Sequence, residues 1–131
     1  MSTDDSNPWI QLFKKVNTQY NAGAEFDNNT VYGMSVAYLF VQSLQAAGKD
    51  LTRNALISAV QKGGFQGPGL VPLRFSATDH SGYGGEQLTR VQSGKQAYFG
   101  TAFETDSGNG PVNEYTAAPA APPANGIPAA S

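Results

Sequence analysis

Hydrophobic positions are densest between Thr30 and Ala47, where Val31, Met34, Val36, Ala37, Leu39, Phe40, Val41 and Leu44 run most of the way round a helical wheel. A helix of that kind needs cover on several sides. Burying Leu39, Phe40, Val41 and Leu44 alone would contribute about 1.5–3 kcal/mol each, comparable in sum with the net stability of a small domain. The rest of the chain offers little to supply that cover. Upstream, Trp9, Leu12, Phe13, Val16 and Tyr20 recur at helical spacing behind Asn7, an N-cap residue, and Pro8, suited to the first helical position because its missing N–H costs nothing there. They predict a helix over 7–21 with its aromatic face in the core and Lys14, Lys15 and Asn17 turned outward. In the loop that follows, Phe26 is the one large apolar residue and reads as a plug onto the core. Asn28 and Asn29 offer N-caps to the apolar helix, and Gly48 ends it. A third helix is expected from Arg53 to Lys62, with Thr52 as N-cap and Leu51 and Leu56 spaced as a hydrophobic staple.

From Phe65 the period changes. Val71, Leu73 and Phe75 alternate with polar or proline positions as in a half-buried strand, and Pro72 places it at an edge or near a strand start. Ala77 to Gly85 reads as a polar turn region, and the segments 86–92 and 95–103 form a hairpin about Ser93 and Gly94. Beyond Glu104 the chain is rich in Ala, Pro and Gly, which predicts a disordered tail over 105–131. The expectation is an α/β unit over 1–104, three helices followed by a strand and a β-hairpin, and a disordered C-terminal tail.

Charge and composition narrow the function. The chain has 131 residues, a formal charge of −2 and eight Lys and Arg with no basic face, so binding driven by phosphate charge, nucleic acid included, is not expected. It has no cysteine, which removes disulfides, thiolate metal sites and thiol nucleophiles. The opening residues lack the basic and apolar regions of a signal peptide, and the run Val36–Val41 is far short of the roughly 20 residues that span a bilayer. His80, the only histidine, sits between Asp79 and Ser81. Catalytic partners usually come from separate segments, and a zinc site of the usual type needs more ligands, so the tripeptide reads as a turn in which Asp79 accepts backbone N–H bonds. The glycine clusters GGFQGPG and SGYGG lack the strand, loop and helix order of a phosphate cradle. No catalytic residue, metal site or cofactor is expected.

The order of these segments carries a resemblance. YGMSVAYLFVQSLQAAGKDLTRNALISAV, then GGFQGPGLVPLRFSATDHSGYGGEQLTRVQSGKQAYFG, resembles the C-terminal part of the type 1 periplasmic solute-binding proteins, the leucine/isoleucine/valine-binding family of ABC importers. A tyrosine-led helix ending in Leu44, Ala47 and Gly48 is followed by Leu51-Thr52-Arg53 opening the next helix. After these come the Phe65, Gly67 and Pro68 turn, a strand ending in Phe75-Ser76, the Asp79-His80 turn and a hairpin closing on Gly94-Lys95. The resemblance covers about residues 7–104 and implies part of a two-lobed α/β fold. The first helix would belong to the second lobe, the next two to the first lobe, and the strand and hairpin to the return through the hinge. It further implies a parent that binds a small solute, an amino acid or a related molecule, by closing two lobes, performs no chemistry, and meets the membrane subunits of an importer in the periplasm or at the cell surface. Tyr32 and Gly33 match a stretch near the ligand cleft, where helix N–H groups can meet a carboxylate. On this reading the present chain needs the missing lobes or self-associates; the alternative is a standalone self-associating or partner-binding module.

Overall fold

Asn7 opens helix α1 (Pro8–Tyr20) by accepting the Trp9 backbone N–H at 2.9 Å, with Pro8 at the first position. The computed structural model describes residues 2, 3, 5–105 and 110–129. Within α1, Trp9, Ile10 and Phe13 are buried, and Asn17, expected outside, continues their row one turn further on and is buried too. Its amide nitrogen donates to the Ala24 carbonyl at 3.3 Å, so this position serves to hold the following loop against the helix. Tyr20, expected in the core, is 76% exposed because α1 ends there, beyond the elements packed on its first turns.

Helix α2 (Asn28–Ala47) starts from Asp27 and not from the two asparagines. The Asp27 carboxylate accepts the Thr30 backbone N–H at 2.8 Å and the Thr30 hydroxyl at 2.9 Å, a stronger pair of bonds than a neutral amide offers. Trp9 meets Tyr38 edge-on with ring centroids 4.8 Å apart, and Leu12, Phe26, Val31 and Met34 pack around them, so Phe26 does sit on the core. Gly48, at φ +82°, closes α2 in a conformation that an L side chain rarely takes. Helix α3 (Arg53–Lys62) packs against α2 and is capped by Thr52, whose hydroxyl accepts the Ala55 N–H at 3.1 Å. Leu51 remains 54% exposed, so the staple adds little.

Five short strands complete the described fold in two antiparallel sheets. Strand β1 (Leu73–Arg74) pairs with β2 (Gly82–Tyr83), which lies inside the stretch expected to be only turn. Strands β3 (Gly85–Gln92) and β4 (Lys95–Thr105) form the expected hairpin, with Ser93 and Gly94 at φ 50° and 76° giving the two-residue turn whose twist suits a hairpin. The sheets are tied by Arg74 and Glu104 at 2.7 Å and by the Thr105 N–H donating to the Gly84 carbonyl at 2.8 Å.

The C-terminal segment differs from the disordered tail expected over 105–131. Strand β5 (Val112–Tyr115) covers the second edge of β4, with Ala102 opposite Tyr115 and Thr105 opposite Val112. Further on, the Trp9 indole N–H donates to the Ala120 carbonyl. Both anchors are backbone groups of the segment, which a search for apolar side chains does not detect. Residues 106–109, 130 and 131 of that expected tail lie outside the described residues.

The Trp9 position is testable. Trp9→Ala removes a side chain only 2% exposed and should lower the unfolding free energy by about 3 kcal/mol or more in urea denaturation, whereas Tyr20→Ala should stay within about 0.5 kcal/mol of wild type.

Candidate functional site

Helix α2 carries no Asp, Glu, Lys or Arg. Its buried side is narrow, with only Tyr38 and Gln42 fully covered, while Tyr32, Val36 and Phe40 are 73%, 50% and 58% exposed on the opposite side. Along one margin of that open face runs a groove of about 400 Å³ walled by Val31, Tyr32, Val36, Leu39, Pro68 and Tyr83, with Asn28 and Ser35 as its polar positions. The Ser35 hydroxyl is already spent on the Val31 carbonyl at 2.7 Å.

Two glycines bring the second wall into place. A Cβ on Gly67 would lie 2.3 Å from a Leu39 methyl, and one on Gly69 would lie 2.3 Å from the Tyr83 ring, so the loop reaches α2 only because both positions lack a side chain. Tyr83 is then packed so tightly that its hydroxyl oxygen is buried without a hydrogen-bond partner, and removal from water pushes its pKa up to about 12. At the head of the helix, the bonds from Thr30 hold the Asp27 carboxyl below its ordinary value.

Tyr32 forms part of the groove, but Gly33 does not: a Cβ there would meet nothing within 4 Å. Gly33 also lies beyond the first turn, where N–H groups belong to the helix ladder, because α2 begins at Asn28. A carboxylate approaching the true start of α2 would meet the Asp27 carboxylate already there. The groove therefore offers mainly apolar contact, its two neutral polar groups being already hydrogen-bonded within the chain, a surface suited to another polypeptide segment more than to a free anion.

The Asp79-His80-Ser81 tripeptide forms the expected turn. Asp79 Oδ1 accepts the Ser81 N–H at 2.9 Å, the Asp79 carbonyl accepts the Ser76 N–H at 2.8 Å, and the His80 ring lies flat on Phe75 at 4.7 Å. Among the described residues no group of three or more His, Cys, Asp or Glu is placed to hold a metal ion, and no helix is long and apolar enough to cross a membrane. Sequence reasoning did not single out Tyr83. The signal available was its place between Gly82 and Gly84, a large aromatic in a stretch otherwise read as turn.

Comparison of the chain with known protein families, curated proteins and solved structures returns no match.

Tyr83 supplies a clean titration. Between about pH 10 and about 12 the unfolded chain releases this proton while the folded chain keeps it, so this residue's contribution to stability falls as pH rises through that window. Tyr83→Phe should abolish the late step in an ultraviolet tyrosinate titration, and should leave the protein as stable as wild type or more so, since the hydroxyl lost has no partner.

Proposed function

We propose that this chain is the C-terminal portion of a type 1 solute receptor, whose parent closes two α/β lobes over a small solute and passes it to an ABC importer without chemistry. The order of motifs from Tyr32 to Lys95 suggests the family. The observation that carries the reading is the uncovered face of α2: an uncharged helix exposing Tyr32, Val36, Phe40 and Val41 has the surface of an element made to lie inside a larger body. On this reading the remaining lobes supply the cover and most of the ligand contacts, with Tyr32 and Gly33 near the cleft. A standalone interaction module would use the same face for a partner or a second copy.

Three observations test the proposal. The purified chain should bind a dye for exposed apolar surface, and Phe40→Glu together with Val36→Glu should cut that signal by more than half; a compact, dye-silent monomer would count against any reading that needs a partner on α2. A reading frame continuous with the chain's start that encodes two α/β lobes separates the receptor from the standalone module, which would have no such extension. By calorimetry the isolated chain should show no micromolar affinity for leucine, isoleucine or valine.

A further inference from the structure

Trp9 is the sole tryptophan, lies in the first turn of α1, and is 2% exposed. An indole buried to that degree needs an acceptor for its N–H, and it takes the carbonyl of Ala120, from the stretch AAPAAPPANGIPA. That stretch has neither helix nor strand after Tyr115. It passes over the loop following α3, where Ala118 to Ala120 and Tyr115 face Phe65 and Val71 across a cavity of about 230 Å³. It then crosses α1 at Trp9 and turns at Pro123, whose carbonyl accepts the Gly126 N–H at 2.7 Å. The turn abuts α1 so closely that a Cβ on Gly126 would lie 2.9 Å from a Leu12 methyl.

This is how extended proline-containing peptides are recognised. Such a segment has little apolar side-chain area, no internal hydrogen bonds and a low entropic cost of ordering, so what it presents is a row of free carbonyls. An aromatic groove with an N–H donor at its edge matches that row. Here the groove is Trp9 set edge-on to Tyr38, with Leu12 beside them. The chain's own segment fits it incompletely. An open hollow of about 710 Å³ remains where Tyr38 and Gln42, the turn from Lys62 to Gly64 with Gln66, and Ala121 and Pro123 of the segment meet. Gln42, 5% exposed, has its Oε1 without any partner, and prolines 122 and 123 carry no N–H to offer it. A segment that spans a cavity without filling it, and leaves a buried acceptor unmet, is an occupant that a better-matched peptide can replace.

We infer that the Trp9–Tyr38 groove is a recognition site for extended Ala/Pro-rich peptide, occupied in cis by residues 118–126 and able to take the same class of peptide in trans. The inference is independent of the receptor reading, since it concerns the side of α2 away from Tyr32 and Phe40.

The sole tryptophan makes the test direct. In the full chain, Pro119→Gly, Pro122→Gly and Pro123→Gly together should loosen the segment, shifting Trp9 emission to the red and at least doubling its quenching by acrylamide, with helix content by circular dichroism unchanged. A synthetic peptide of residues 116–129, added at about 1 mM to match the effective concentration of a short tether, should reverse both changes in a saturable way, and a Gly/Ser peptide of equal length should not. Emission unchanged in the triple variant would overturn the inference, as would failure of the added peptide to reverse the shift. Should the triple variant lose helix content, Gly126→Ile takes its place, since it wedges the turn off Leu12 without altering the groove, and the same two outcomes decide.

Discussion

Three parts of the chain meet at one ring. Trp9 lies tilted against Phe13 with ring centroids 6.0 Å apart, meets Tyr38 of α2 edge-on, and gives its N–H to the segment beyond β5. Each contact depends on the others, because an indole is buried favourably only when its apolar body is covered and its N–H is bonded. Removing the Ala120 carbonyl would leave a buried donor unpaired, and removing Tyr38 would open the ring to water. The asparagine cap at Asn7 belongs to the same arrangement, since it fixes the start of α1 and with it the angle at which Trp9 enters. In a described fold where few side chains are fully enclosed, this junction does much of the work of a core.

Helix α2 turns different chemistry to its two sides. The side on Trp9 holds Tyr38 and Gln42, residues with an apolar body and a hydrogen-bonding end, and shares a hollow with Ala121 and Pro123 of the C-terminal segment. The other side holds Tyr32, Val36 and Phe40, each at least half exposed, without a charge anywhere on the helix, and Pro68 and Tyr83 reach only its margin. An ordinary surface helix puts charged residues there. Leaving such a face in water forgoes stabilisation that even modest burial would supply. That is why the open face, more than any single residue, directs the functional reading.

The local elements were legible because their signals are short-range. Asn7-Pro8, Thr52 and Ser93-Gly94 each specify a cap or a turn through atoms within a few residues, and each appears where the pattern predicts it. The apolar surplus of α2 was legible as well, since it needs only a count around the wheel. What escaped depends on distant partners. Asn17 looked like a surface residue because its burial comes from the loop at Ala24, Tyr83 looked like part of a turn because its packing requires Gly67 and Gly69, and β5 is specified by the free edge of β4 more than by its own composition. The cap of α2 lies one or two residues before the asparagines at 28 and 29, because the Asp27 carboxylate satisfies both Thr30 donors.

Tyr83 and Trp9 show how the same demand for satisfied polar groups is met in one place and left unmet in another. Both rings are packed against α2-centred structure, and both carry one polar atom. Trp9 has a carbonyl to receive its proton, supplied by a proline-rich stretch that has few other uses for that oxygen. Tyr83 has none: Gly67 and Gly69 admit its ring beside Leu39, and its hydroxyl is buried there without an acceptor or donor. An unmet hydroxyl costs on the order of 1–3 kcal/mol, a sum that natural packing rarely leaves unrecovered. It stands beside the groove under Tyr32 and Val36, on the margin of the face that lacks cover. The missing hydrogen bond and the missing apolar contact therefore fall in the same neighbourhood; a polypeptide surface laid along α2 would supply the apolar contact, while the hydroxyl, sealed beneath its own packing, stays out of its reach.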